Sequence, residues 1–210
     1  MLRIGRIHIL TDTQVQQRFS HYELCEKAIA AGIPTIQYRE KKFSPQRHME
    51  ELRRIAELAR RTHTQLIIND HVELAAEIGA TGIHIGEEDM PVEEVMRKVP
   101  AFTLIGVTVH SMEFYERVRR WPIAYVGVGP VFETSTKDSG RPPLGIDGLR
   151  TYVEAISHPV IAIGGITPER ARMLFEAVPN LHGVAVLSAF CKASEPIEVA
   201  RELMALLPSN

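Results

Sequence analysis

The stretch Pro159-Val-Ile-Ala-Ile-Gly-Gly-Ile-Thr-Pro-Glu-Arg170 carries the plan of the fold. Its first part is a short, β-branched apolar run of strand length. Gly164-Gly165 interrupts the run, and Thr167-Pro168-Glu169 then reads as a helix start, with a hydroxyl cap, a proline at the first helical position and an acid in the first turn. A strand that feeds a capped helix through a glycine turn is a βα unit. The same plan recurs outward in both directions. Further Val/Ile-rich runs lie at 7–12, 35–40, 65–70, 82–86, 104–110, 125–132 and 183–190.

The intervals between these runs have helical periodicity. Over 45–62, Met49, Leu52, Ile55, Ala56, Leu58 and Ala59 mark one apolar face against Arg and Glu. Ser44-Pro45, Ser111 and Ser194 signal further helix starts. Repeated βα alternation implies parallel strands with right-handed crossovers. Such a chain closes into a (β/α)8 TIM barrel or stays open as a doubly wound sheet. The barrel is preferred because the units are short and alike, and because side chains capable of chemistry end nearly every strand. Only a barrel gathers all of those ends at one mouth. With 210 residues and no linker or low-complexity tract, the expectation is one domain over 1–210.

Composition narrows the function classes. A net charge of −2 gives no reason to expect nucleic acid or a membrane surface as partner, so any electrostatic role must come from local clusters. Cys25, in an amphipathic helix, and Cys191, at the end of an apolar strand, have neither disulfide-framework nor metal-ligand spacing, and read as buried free thiols. The N-terminus is too charged for a signal peptide, and no run approaches the roughly 20 apolar residues of a membrane helix. A cytoplasmic enzyme of small molecules is expected. The oligomeric state stays open, a homodimer included.

The strand ends hold the candidate site. After the second strand, alternation lets Gln37, Arg39 and Lys41 share one face, a set suited to a polyanion such as pyrophosphate. The other reading is a solvated loop with an ion pair through Glu40. The third strand ends in Asn69-Asp70, where the acid is either a helix cap or a metal ligand. Asp89 follows the fourth strand. Asp70 and Asp89 together suit Mg2+, which takes one or two carboxylates and fills its other positions with water and phosphate oxygens; without a metal they pair with Arg39 and Lys41. Thr108 and His110 share a face of the fifth strand, the histidine being either chemical or structural. The polar segment 133–144, with Thr134, Thr136, Lys137 and Arg141, reads as a lid. Gly164-Gly165 and Leu187-Ser188-Ala189 lie after the seventh and eighth strands, where barrels often bind phosphate through backbone amides. A tight turn alone would also explain the glycine pair.

In order along the chain, IQYREK, LIINDHVELA, GIHIGEEDMP, IGVTVHS, YVGVGPVFETSTKDSGRPPLG, IAIGGITPERA and GVAVLSAF together resemble the thiamine phosphate synthase family. The resemblance implies transfer of a hydroxymethylpyrimidine group from its pyrophosphate to a thiazole phosphate, giving thiamine phosphate and pyrophosphate by a dissociative, carbocation-like route. It implies Mg2+ on Asp70 and Asp89. Pyrophosphate would be held by Arg39, Lys41, Asn69 and Lys137, and the pyrimidine by Gln37. Thr108, Thr134 and Thr136 would lie around the reacting groups, and Gly165, Leu187 and Ser188 at the thiazole phosphate. Catalysis would rest on Lys137, Arg39, Lys41 and Thr108. Tyr38, His71, Glu87, Thr108 and Glu133 depart from the family's commoner pattern. Two alternatives remain within the resemblance: a thiazole tautomerase using His110 as acid/base, and a non-catalytic paralogue that binds thiazole or thiamine phosphate.

Overall fold

The computed structural model describes residues 3–41, 44–134, 136 and 140–208. Eight parallel strands close in sequence order: β1 (Ile7–Thr11), β2 (Thr35–Tyr38), β3 (Gln65–Asn69), β4 (Gly82–Ile85), β5 (Leu104–Val109), β6 (Tyr125–Val128), β7 (Val160–Ile163) and β8 (Gly183–Val186). Pairing of β1 with β8, in register Ile7 to Val184, seals the barrel. The open-sheet alternative is thereby excluded, and all strand C-termini point to one mouth.

The period-two alternation of each strand divides the core in two. Ile7, Ile9, Ile36, Tyr38, Leu66, Ile68, Ile83, Val107 and Val126 pack outward against the helices. The opposite-parity set, among them Leu10, Ile67, Leu104, Tyr125, Ile161 and Ala185, forms a smaller cluster inside the barrel. Tyr125 fills that interior only because Gly106 faces it; a Cβ at Gly106 would stand 2.1 Å from the tyrosine ring. The barrel below the mouth is a packed core, so ligands can enter from one end only.

The helices are α1 (His21–Ala30), α2 (Met49–Arg61), α3 (Val72–Glu77), α4 (Val92–Lys98), α5 (Met112–Val118), α6 (Gly145–Ala155), α7 (Pro168–Ala177), α8 (Ser188–Cys191) and α9 (Pro196–Met204). Ser111 and Thr167 cap α5 and α7 as the sequence predicts, accepting from Phe114 N at 3.1 Å and Arg170 N at 3.2 Å. Two expected starts differ. The 45–62 helix opens with a 3-10 turn, Pro45–His48, so Ser44 precedes that turn instead of capping α2. Glu195, not Ser194, occupies the cap of α9, with Pro196 at its first position.

The strands stop one or more residues short of the expected runs, and two of them stop four residues short. β6 ends at Val128, because the next residues peel toward β7, where Val131 N donates to Ile163 O at 2.9 Å. β8 ends at Val186, and Cys191 lies in the short α8 instead of closing a strand. Both cysteines are free and buried. Among the described residues no helix is long and apolar enough to cross a membrane.

Candidate active site

The mouth holds a cavity of about 430 Å3. Alternation carries Gln37, Arg39 and Lys41 from the β2 end into its lining, while Tyr38 and Glu40 turn away and are buried behind the barrel wall. The Arg39 guanidinium pairs with Asp12, which follows β1 and is fully buried. Burial lowers the Arg39 pKa, and the negative charges of Asp70 and Glu40 oppose that shift. Lys41 reaches across to the Asp70 carboxylate. The ion pairs thus run Arg39–Asp12 and Lys41–Asp70. Glu40 forms neither; its partners include Thr13 and His21 on the far side of β2.

Asn69 and Asp70 leave β3 into the cavity, with Gln37 Nε2 donating to Asn69 Oδ1 at 3.4 Å. Asp70 adopts a left-handed backbone, φ +64°. It does not cap α3: His71 holds that position and makes no side-chain cap bond. The capping reading of Asp70 is therefore excluded. Asp70 N donates to His84 O at 2.8 Å, which seats the β3 end against the β4 end. There Gly86 N donates to Asp89 Oδ2 at 2.6 Å, and Asp89 N returns a bond to Gly86 O at 3.3 Å. This small turn brings the Asp89 carboxyl to the same side of the cavity as that of Asp70, near enough for its charge to act on it. Burial chiefly, and Asp89 in addition, push the Asp70 pKa up, while Lys41 pulls it down.

Two carboxyls brought to one side of the mouth from adjacent strand ends fit a shared cation. Among the described residues no group of three or more His, Cys, Asp or Glu is placed to hold a metal. The pair therefore suits an ion that leaves most positions to water and phosphate oxygens, as Mg2+ does.

On β5, Thr108 Oγ1 lies 2.7 Å from His84 Nε2, and His84 Nδ1 is 3.0 Å from the Tyr125 hydroxyl. His84 lines the cavity and was not among the sequence candidates. Its signal was the parity of Gly82-Ile-His-Ile-Gly86, which puts His84 on the face of Gly86. Asp12, also missed, shares its parity with His8 and Leu10. His110 lines the mouth as well, its Nδ1 donating to Gly129 O at 3.2 Å.

Across the cavity stand Thr134, Thr136 and Arg141 from the β6–α6 loop, with Thr136 N donating to Thr134 Oγ1 at 3.2 Å. Lys137 lies outside the described residues. Gly164 and Gly165 both have positive φ, +102° and +64°. A Cβ on Gly165 would fall 2.5 Å from Glu133 O, and one on Gly164 2.6 Å from the Pro130 backbone. The packing of the β6–α6 loop alone thus requires the pair. That turn puts Gly165 on the cavity wall, and the β8 end adds Leu187 and Ser188, Ser188 opening α8, whose first amides have no intrahelical acceptor.

The five departures differ in place. Tyr38 never reaches the mouth; its ring lies 4.3 Å from that of His21 behind β2. Glu87 lines the cavity and bonds Arg117 at 3.1 Å. His71 begins α3, Thr108 is held by His84, and Glu133 is exposed beside Gly165.

The family model described as thiamine monophosphate synthase matches residues 7–190. A thiamine-phosphate synthase of Chloroflexus aurantiacus is 37% identical over 202 residues, 96% of this chain and 92% of that protein. One from Salinibacter ruber is 38% identical over 204 residues, 97% and 89% of the two chains. The solved structure of a thiamine phosphate pyrophosphorylase from Pyrococcus furiosus superposes with a TM-score of 0.83 at 30% identity, covering 96% of this chain and 94% of that one. The similarity runs through every strand end that builds the cavity, and the chain belongs to the thiamine monophosphate synthase family.

Proposed function

We propose that this chain, acting as one domain, is a thiamine phosphate synthase. It transfers a hydroxymethylpyrimidine group from its pyrophosphate to the nitrogen of a thiazole phosphate, releasing pyrophosphate. The observation that carries the reading is the meeting of Asp70 and Asp89 at adjacent strand ends, with Lys41 on Asp70 and Arg39 alongside. That set faces the amide-rich ends of β7 and β8 across a single cavity.

The diphosphate lies against Arg39, Lys41 and Asn69, whose donors take up charge as the bond to the pyrimidine methylene breaks. Asp70 and Asp89 would hold Mg2+, which would add positive charge beside the leaving diphosphate. Lys41 exchanges its Asp70 partner for a diphosphate oxygen. Lys137, outside the described residues, joins the diphosphate set on the family resemblance alone. Gln37 orients the pyrimidine, and Thr108, Thr134 and Thr136 surround the reacting carbon. Gly165, Leu187 and Ser188 hold the thiazole phosphate through backbone and hydroxyl donors. The thiazole nitrogen is already a neutral nucleophile, so the chain needs no general base. Its contribution at that step is to place the nitrogen beside the electron-poor carbon and to exclude water.

All these groups come from one chain, so the chemistry asks nothing of a second subunit. We place the enzyme in the cytoplasm, consistent with two cysteines that are free and buried. The tautomerase alternative has His110 in the mouth but leaves the two carboxylates, Arg39 and Lys41 without a task.

The test is direct. Pure protein with pyrimidine pyrophosphate, thiazole phosphate and Mg2+ should yield thiamine phosphate and pyrophosphate in equal amounts, and neither substrate should be consumed alone at a comparable rate. Tight binding without turnover would select the non-catalytic paralogue. Turnover that survives full chelation would refute the metal-assisted route.

A further inference from the structure

The mouth is not the only place where the end of β2 is held. On the reverse side of the barrel wall, Glu40 is buried with its side chain closed off from solvent. Thr13, in the loop after β1, donates its hydroxyl to Glu40 Oε2 at 2.7 Å. His21, at the start of α1, approaches the same oxygen with Nε2 at 3.4 Å. His48, at the turn before α2, stands 3.9 Å away. Burial lowers the His21 pKa and so favours the neutral ring, against the opposing pull of Glu40. A neutral ring that donates from Nε2 to Glu40 must accept at Nδ1, and the Thr11 hydroxyl lies there at 2.8 Å. Arg39 N also donates to Thr11 O at 3.1 Å.

The loop after β1 therefore grips the β2 end from both sides, Asp12 on Arg39 inside and Thr13 on Glu40 outside. We propose that Glu40, fastened by Thr13 and His21, is a positioning residue that sets where Arg39 and Lys41 stand to receive the diphosphate. Glu40 touches no substrate. It fixes the backbone between two long cations whose rotamers would otherwise cost entropy to order on binding. The inference rests on the diphosphate reading of this site.

The experiment is calorimetric titration of the intact protein with inorganic pyrophosphate in excess Mg2+, beside steady-state kinetics and circular dichroism. Glu40→Ala should weaken pyrophosphate binding by about 10-fold or more, as loss of supporting contacts around a bound group commonly does. The KM for the pyrimidine pyrophosphate should rise with it, and the KM for the thiazole phosphate should stay. Thr13→Val, which removes one hydrogen bond, should weaken pyrophosphate by about 3-fold. Glu40→Gln keeps an acceptor for Thr13 and His21, and should restore affinity to within about 2-fold of the parent. A folded Glu40→Ala protein with parental pyrophosphate affinity would overturn the proposal. Should that variant not fold, parental affinity in Thr13→Val would do the same. Failure of the diphosphate reading looks different: the parent protein itself would not bind pyrophosphate.

Discussion

The two halves of the mouth are built from different materials. The β2–β4 side presents side chains, with Arg39 and Lys41 as cations, Asp70 and Asp89 as acids, and Gln37 and Asn69 as amides. The β7–β8 side presents mostly backbone, through Gly164, Gly165 and the start of α8. On the first side charge is set by ion pairs and burial, and can be altered by one atom. On the second, the backbone path does the work, and the glycines are held in place by contacts with the β6–α6 loop. One half is tuned by electrostatics, the other by steric fit, and mutations should sort them.

The largest effect belongs to the acids. Asp70→Ala or Asp89→Ala should lower kcat/KM by about 10²- to 10³-fold, the size of losing one preorganised electrostatic contact to a transition state. Thermal stability should hardly move in Asp70→Ala, because the Lys41–Asp70 pair is partly exposed, and such pairs contribute about 0–1 kcal/mol. Asp89→Ala also loses the bond from Gly86 N and should cost about 1 kcal/mol. Matched losses of turnover and melting temperature would break the division. Next comes Arg39→Ala. It strands Asp12, whose side chain is 0% exposed, and an unpaired buried charge costs about 3–5 kcal/mol. Urea unfolding should show that loss together with weakened pyrophosphate binding. Arg39 thus serves both the site and the fold.

That contrast also explains what was legible in the sequence. The barrel was readable because eight apolar runs of strand length alternate with capped helices, a pattern set by local sterics and burial. Arg39, Lys41, Asp70 and Asp89 were readable as residue types at strand ends, and parity aimed the first two correctly. Pairing was only partly readable. The Lys41–Asp70 pair is one that the strand ends suggested, but nothing local says that Arg39 takes Asp12 or that Glu40 turns to Thr13 and His21, because these contacts join segments distant in the chain. His84 escaped for a different reason: a lone histidine in an apolar strand looks like core until Thr108 and Tyr125 are seen at its two nitrogens. Gly164-Gly165 suggested phosphate, whereas the packing requirement came from a loop more than thirty residues earlier.

On the backbone side, Gly165→Ala should be felt sterically. With φ at +64° and the Glu133 carbonyl in the way, it should cost about 1–3 kcal/mol of stability. The KM for the thiazole phosphate should rise while that for the pyrimidine pyrophosphate stays. A rise in both would show that the two halves are not separable.

The smallest effect lies below the mouth. Burial lowers the His8 pKa from 6.5 to about 3, and His21 shifts in the same direction. Both rings are neutral in the fold, whereas the unfolded chain protonates them near pH 6.5. The His8 contribution to stability is therefore complete above that pH and is lost as the pH falls toward 3, and His21 acts in the same direction. His8→Gln should narrow the difference in unfolding free energy between pH 7 and pH 4 and leave turnover at pH 7 nearly intact. An unchanged difference would remove His8 from the account.

In the proposed reaction Asp70 and Asp89 serve one ion that meets a diphosphate. Mn2+ in place of Mg2+, titrated with pyrophosphate and followed by electron paramagnetic resonance, tests it most directly. One ion should bind per chain, and Asp70→Asn and Asp89→Asn should each weaken it by about 10-fold or more. Parental Mn2+ affinity in either folded variant would mean that the carboxylates do not share an ion.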